Sequence, residues 1–332
     1  MSDLSKSALR LAVITLAGMV GVSSGQAADS WKHGIVEAKG DSGILFQAAD
    51  GGFAEKLGLD LEMVQFTGGP TALKALIAGE LDSVEASPVI AFSAMRQNAG
   101  IKVVGCDWPG MTYTLFSSPD IAKPSDLKGK AIGVSAPGSL PALFAQLALE
   151  AKGVSGSQVS FANAGSSSNR VRAVSTGVVA AAASSSEFAV DAETLKIKPL
   201  IRGVEATPRF VKVCIMTTEK SISSRHGDLV KFLAAEMRGL DHGLKDKKDA
   251  LALAHKAADL PASDKTAEFI YDEAKKYKAV TPDLAIPVEN LQWTYDQMLR
   301  LGAIEGKADV AKFVDDGPRQ QALAMAKLSG SE

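Results

Sequence analysis

Two look-alike rounds of short β-rich runs alternating with helical segments predict an α/β protein of two lobes, each a mixed, mainly parallel sheet flanked by helices, with a ligand cleft between them. Three observations carry that prediction. The chain has 332 residues, 46% of them hydrophobic, enough for two domains that each bury a core. Strand-like runs and helical segments alternate instead of clustering, as parallel strands joined by helical crossovers must. Landmarks also recur in order: Gly58 and Phe66 are answered 95 residues later by Gly153 and Phe161, and Gly79 and Ser87 are answered 98 residues later by Gly177 and Ser185.

The first 27 residues read as a signal peptide. Lys6 and Arg10 supply positive charge, Leu11 to Val22 form a twelve-residue apolar run, and Gly25-Gln26-Ala27 offers small residues for cleavage. That run is too short for a membrane span, which needs about 20 residues. No Cys follows it to accept lipid, so the expectation is Sec-type export to the periplasm of an unlipidated chain starting near Ala28. Strands are expected at Ile35–Glu37, Leu61–Phe66, Leu81–Ala86 and Ile101–Cys106, with helices at Gly43–Leu57, Thr71–Ala78 and Val89–Asn98 between them. The second round places strands at Ala131–Ser135, Val159–Ala162 and Val178–Ala183, and helices at Leu140–Lys152 and Asn169–Thr176. Met111–Ser117 and Phe210–Thr218 are the natural crossovers between lobes. Residues 28–117 therefore form the first part of lobe 1, residues 118–216 form lobe 2, and residues 217–332 return to lobe 1 as a charged helical tail. That tail divides into Asp228–Lys245, Lys248–Asp259, Ser263–Tyr277, Val288–Leu301 and Asp309–Lys327.

A formal net charge of −2 offers no basic face, which excludes nucleic acid as a partner. The four histidines, His33, His226, His242 and His255, are scattered without metal-ligand spacing, and no nucleophile elbow, phosphate loop or dinucleotide fingerprint occurs. The reading is a non-enzyme, expected as a monomer without metal or cofactor. Cys106 and Cys214 either close a disulfide or remain two separate buried thiols in strands, and the second alternative is preferred.

One device recurs. A strand ends in Gly or Ser and a helix begins at once, at Gly40-Asp41-Ser42-Gly43, Thr67-Gly68-Gly69-Pro70, Ser87-Pro88, Ser135-Ala136-Pro137-Gly138-Ser139, Gly165-Ser166-Ser167-Ser168 and Ser184-Ser185-Ser186. Such junctions lie at the carboxyl ends of parallel strands, where helix N–H groups and hydroxyls meet ligands. They suit an oxyanion, with Lys39, Arg170 and Arg209 as candidate cations. Asp41, Glu85 and Glu187 point the other way, toward a zwitterion, an amine or a pyrimidine ring, and the sign of the ligand stays open.

The run Gly52-Phe53-Ala54-Glu55-Lys56-Leu57-Gly58-Leu59-Asp60-Leu61-Glu62, continued by Gly68-Gly69-Pro70-Thr71 through Gly79-Glu80-Leu81-Asp82, resembles the substrate-binding proteins of ABC transporters for nitrate, sulfonate, taurine and the thiamine pyrimidine precursor. Pro124-Ser125-Asp126-Leu127-Lys128-Gly129-Lys130 up to Ser135 is similar to that family's second hallmark. Gly177 with Val178 to Ala182 matches a third site, although Val179 stands where an Asp is usual. The resemblance implies a type II periplasmic-binding fold, hinge closure over a small ligand, and delivery to a permease in the inner membrane. It implies ligand contacts at Ser42, Thr67, Gly68, Ser87, Ser135, Gly138, Ser139, Gly165 and Ser166, to which the junction reading adds Asp41 and Ser185. The expected ligand is a small organic anion, sulfonate- or carboxylate-bearing or nitrate-like. The alternative is a pyrimidine, amine or zwitterion.

Overall fold

A computed structural model describes residues 29–328, so the expected leader over residues 1–27 lies outside the described residues. The chain runs β1 (Asp29–Val36), α1 (Ser42–Leu45), α2 (Gln47–Asp50), β2 (Leu59–Phe66), α3 (Gly69–Ala78), β3 (Ser83–Ala86), α4 (Phe92–Arg96) and β4 (Ile101–Gly105). It then crosses to β5 (Tyr113–Ser117), β6 (Ala131–Val134), α5 (Leu140–Glu150), β7 (Ser160–Asn163), α6 (Ser167–Ser175), β8 (Ala181–Ser185), β9 (Lys198–Arg202) and α7 (Gly203–Ala206). The return brings β10 (Cys214–Thr218), α8 (Glu219–Ser224), α9 (His226–Lys245), α10 (Lys247–Ala257), α11 (Thr266–Tyr277), α12 (Val288–Arg300) and α13 (Gly317–Ala326).

These strands build two five-stranded sheets of the same plan, ordered β2-β1-β3-β10-β4 and β7-β6-β8-β5-β9. In each, three parallel strands are followed by one antiparallel strand delivered by a crossover: β10 runs against β3 and β4, and β5 runs against β8 and β9. The recurring landmarks fall on equivalent places. Gly58 and Gly153 precede β2 and β7, Gly79 and Gly177 follow α3 and α6, and all four adopt the left-handed conformation that favours glycine.

Differences from the sequence reading have local causes. The segment Gly43–Leu57 is not one helix: Phe46 interrupts it between α1 and α2, and Gly51 and Gly52, the latter at φ 73°, separate α2 from a 3₁₀ turn at Glu55–Leu57. Strand β9 was unanticipated, since it carries Pro199, which only an edge strand tolerates, and β9 is an edge. Asp309–Lys327 is likewise divided, into a 3₁₀ turn at Val310–Phe313 and α13, with Val314 bridging to Val103 between them. The crossover strand Tyr113–Ser117 belongs to the second sheet and Cys214–Thr218 to the first, so the chain changes lobes a few residues earlier each time than cuts after 117 and 216 imply.

The preference for two free thiols is corrected: Cys106 and Cys214 form a disulfide across 108 residues of sequence. Cys106 ends the strand β4 side of the first crossover and Cys214 opens β10, so antiparallel packing of β10 beside β4 brings them together. Helix α9 covers the first sheet, with Phe232 stacked on Trp31 at 5.5 Å and against His33 at 4.8 Å between ring centroids. Among the described residues, no helix is long and apolar enough to cross a membrane.

Candidate functional site

A cavity opens between the lobes at the carboxyl ends of the parallel strands. Its lobe 1 wall holds Lys39, Asp41, Ser42, Thr67, Gly68, Glu85 and Ser87; its lobe 2 wall holds Ser135, Ser139, Ser167 and Arg170. The crossovers supply Trp108, Tyr113, Lys212 and Val213. Apolar groups fill the intervals, among them Ile35, Leu45, Phe46, Ile90 and Leu140. Three helices present their N-termini here, α3 through Gly68 and Gly69, α5 through Ser139 and Leu140, and α6 through Ser167. Each brings N–H groups that the helix itself cannot pair, along with the positive end of its dipole.

Of the expected contacts, Asp41, Ser42, Thr67, Gly68, Ser87, Ser135 and Ser139 line this cavity. Gly165 and Ser166 line a second, outer depression, where Ser166 caps α6 by accepting from the Asn169 N–H at 3.3 Å. Gly138 is exposed and off the wall, and its φ of 70° shows that glycine serves the turn there. Ser185 is fully buried behind the wall, and its Oγ has no partner among the described residues. Ser42 Oγ accepts from the Lys39 N–H at 2.9 Å, and Ser139 Oγ donates to Ala136 O at 2.6 Å, while the buried Ser87 Oγ is left without a partner.

Charge is concentrated in the cavity. Lys39 Nζ donates to Asp41 Oδ2 at 2.5 Å, and Lys212 Nζ stands 3.9 Å from the same oxygen. Burial opposes the Lys39 ammonium, but Asp41 and Glu187 override it and hold its pKa above the ordinary lysine value. Burial pushes Lys212 down, with Asp41 working against the shift. The same desolvation pushes Glu85 up to about 7 and Glu187 up to about 8, in each case with Asp41 adding to the rise and both lysines opposing it. At neutral pH Glu187 is therefore mainly protonated, while Glu85 is divided between its neutral and ionised forms. Behind Glu85, burial also raises Asp107 and Glu236.

Arg170 differs from the lysines. It is 3% exposed, and its Nε donates to Ala183 O at 2.6 Å, Nη1 to Gly165 O at 2.6 Å, and Nη2 to Ser167 Oγ at 3.0 Å and Tyr113 Oη at 3.5 Å. All these partners are neutral, and no carboxylate pairs with it among the described residues. A buried, fixed and uncompensated guanidinium thus faces the cavity. Arg209, the other arginine singled out in the sequence, lies over the Trp293 ring at 5.5 Å and does not line the cavity.

The lobes touch across the cleft. Glu37, in the left-handed region at φ 51°, reaches from lobe 1 to the N-terminus of α6, where Oε2 accepts from the Ser167 N–H and Oε1 from Ser168 Oγ, both at 3.3 Å. Arg202 on β9 donates to the buried Glu273 on α11 at 2.7 Å. Gly40 lies so close to lobe 2 that a β-carbon there would stand 2.8 Å from Glu187 Oε2.

Sequence reasoning missed Glu37, Trp108, Tyr113, Ser167 and Lys212 as wall residues. It also gave no hint of the buried line in which Ser83 Oγ bonds His33 Nδ1 at 2.7 Å while His33 Nε2 lies 3.9 Å from Glu85 Oε2. Ser83 and His33 are fully buried, and Ser83 Oγ also accepts from Trp31 Nε1 at 2.8 Å, so no substrate reaches that hydroxyl.

Compared with known proteins, residues 40–250 match the family described as NMT1/THI5 like. No curated protein matches the sequence. Solved structures superpose over most of the chain. The alkanesulfonate-binding protein SsuA from Xanthomonas axonopodis pv. citri, bound to MOPS, is 18% identical, with a TM-score of 0.72 over 86% of this chain and 98% of its own. The periplasmic nitrate-binding protein NrtA from Synechocystis PCC 6803 is 13% identical, with a TM-score of 0.73 over 90% and 89%. A ligand-binding component of an ABC-type import system from Staphylococcus aureus, with zinc bound, is 15% identical, with a TM-score of 0.72 over 89% and 99%. At these identities the likeness is one of fold, the two-lobed binding-protein architecture.

Proposed function

The chain belongs to the NMT1/THI5-like family, and from that premise we propose that it is a periplasmic solute-binding protein that closes on a small organic anion and delivers it to the permease of an ABC importer. The observation that carries this reading is Arg170, a buried guanidinium on the cavity wall whose bonds all go to neutral oxygens. An anion is the partner that such a charge lacks. The N-termini of α3 and α5 favour the same sign, and the mainly protonated Glu187 does not oppose it. The apolar intervals suit an organic body behind the charged head. The solved proteins of the same fold described as sulfonate- and nitrate-binding lend support by analogy.

Because the two lobes contribute different walls, a ligand contacting both favours the closed arrangement. Binding without turnover fits the wall chemistry, since among the described residues its serines have no imidazole hydrogen-bond partner and the Ser83–His33 pair is sealed in the core. Thermal unfolding of the purified protein with sulfonates, nitrate, carboxylates, pyrimidines and amines tests the reading. A ligand at a hundredfold its Kd should add about 2.7 kcal/mol of stability. Stabilisation by amines or pyrimidines alone, or by no compound at all, would count against an anion. A second reading has one observation in its favour: Asp41 and Glu85 line the same cavity, so a zwitterion could place its amine there. Response to an aminosulfonate but not to the matched plain sulfonate would select it.

A further inference from the structure

The cavity is built partly from the hinge itself. Residues between β4 and β5 form one crossover and those between α7 and β10 the other, and the two are tied together by more than proximity. Cys106 is bonded to Cys214, the Val213 N–H donates to Trp108 O at 3.1 Å, and the Lys212 N–H donates to Pro109 O at 3.1 Å. Each cysteine stands two residues from a residue of the cavity wall, Cys106 from Trp108 and Cys214 from Lys212. Lys212 Nζ then lies 4.4 Å over the Trp108 ring centroid.

The Lys212 ammonium is 94% hidden as a side chain, since only 6% is exposed, yet it makes one hydrogen bond, to Thr112 Oγ1 at 3.0 Å. Its carboxylate neighbour, Asp41 Oδ2, is at 3.9 Å and already accepts from Lys39 at 2.5 Å. With one hydrogen bond among the described residues, the Trp108 face and a carboxylate at 3.9 Å, the three protons of this buried ammonium leave donor capacity for a ligand in the cavity it lines. We propose that Lys212 is a ligand-anchoring residue, and that the Cys106–Cys214 disulfide is a positioning element that holds Lys212 and Trp108 in register so that the hinge itself grips the anion. This deepens the anion reading given above and rests on it for the physiological ligand, although the anchor can be tested with an inorganic probe.

Iodide serves as that probe, because it is a monoanion that quenches tryptophan on contact. In the intact protein, iodide quenching should contain a saturable component that the Trp108→Phe variant lacks. Lys212→Met should abolish the saturable component, and Lys212→Arg should retain it. The double variant Cys106→Ala/Cys214→Ala should weaken apparent iodide affinity by about tenfold, the size of coupling expected between contacting groups. In the Lys212→Met background the same cysteine replacements should leave the residual quenching unchanged while still lowering Tm, which separates positioning from a purely structural staple. Saturable quenching that survives Lys212→Met, or its absence in the intact protein, overturns the anchor. Unchanged affinity in the cysteine variant overturns the positioning role. If iodide behaves as expected while every organic anion fails to raise Tm, the hinge site stands and the transported class falls.

Discussion

Replacing Glu187 with glutamine should flatten the pH dependence of stability. Glu187 is 2% exposed, its Oε2 has no hydrogen-bond partner among the described residues, and burial chiefly raises its pKa from 4.5 to about 8. The folded state therefore holds this proton more tightly than the unfolded chain does. The stability that this preference contributes is fully present below pH 4.5 and is lost as pH rises through about 8. While only the unfolded chain has released the proton, the slope is about 1.4 kcal/mol per pH unit, so raising the pH from about 5 to about 7 costs roughly 3 kcal/mol through this one group. Glu187→Gln cannot release a proton, and its slope over that interval should fall by nearly one proton's worth. Glu85, raised to about 7, and the buried Asp107 and Glu236, also raised, would supply what remains. Urea unfolding followed by circular dichroism at a series of pH values measures the difference. A variant whose stability falls with pH as steeply as the parent's would refute the claim that Glu187 is buried in its neutral form.

The same protonation bears on binding: as the wall residue Glu85 ionises through about pH 7, an anion in the cavity meets new negative charge, so its Kd should rise with pH. Titration calorimetry across that range would show it, and a flat Kd would speak against Glu85 facing the ligand. Arg170→Met should weaken anion binding by about thirtyfold or more, since truncating one partner of a buried charged pair costs about 2–5 kcal/mol; it should also lower Tm, because Gly165 O and Ala183 O lose their donor. Gly40→Ala places a methyl 2.8 Å from Glu187 Oε2 and 2.9 Å from the Ala267 nitrogen, so scattering should report a ligand-loaded form that stays more open than the parent. Glu37→Ala removes a carboxylate from the α6 N-terminus, worth about 1 kcal/mol, and should shift the ligand-free open-to-closed ratio by about fivefold in the same scattering measurement.

What was legible in the sequence were features written locally. Left-handed glycines after helices and Gly-Ser steps before them are dictated by backbone sterics within a few residues, and so Gly58, Gly79, Gly153 and Gly177 marked equivalent places in both lobes. The junction serines followed from the same grammar, and Asp41, Ser42, Thr67, Ser87, Ser135 and Ser139 do line one cavity, from its two facing walls. Gly138 misled because a turn glycine and a ligand-approach glycine look alike in sequence. Lys212 and Trp108 were illegible for another reason. Each is a single polar or aromatic residue in an apolar stretch, and its meaning depends on a partner about a hundred positions away. The disulfide was ambiguous on the same ground, since two distant cysteines carry no spacing signal until β10 is seen beside β4. Strand β9 was hidden by Pro199, a residue whose cost depends on being at an edge.

The insertion of β10 between β3 and β4 bears on how the molecule comes into being. The second sheet is complete once Arg202 has been made, whereas the first has a gap at its fourth position until Thr218 arrives, and its covering helix α9 comes later still. The half that begins the polypeptide is thus the last able to consolidate. A nascent chain would carry an unfinished N-terminal sheet, with the flanks of β3 and β4 exposed, while the C-terminal neighbour is already sealed. Hydrogen exchange on ribosome-bound chains stalled after Arg202 has emerged should accordingly show β6, β7 and β8 protected while β3 and β4 are not.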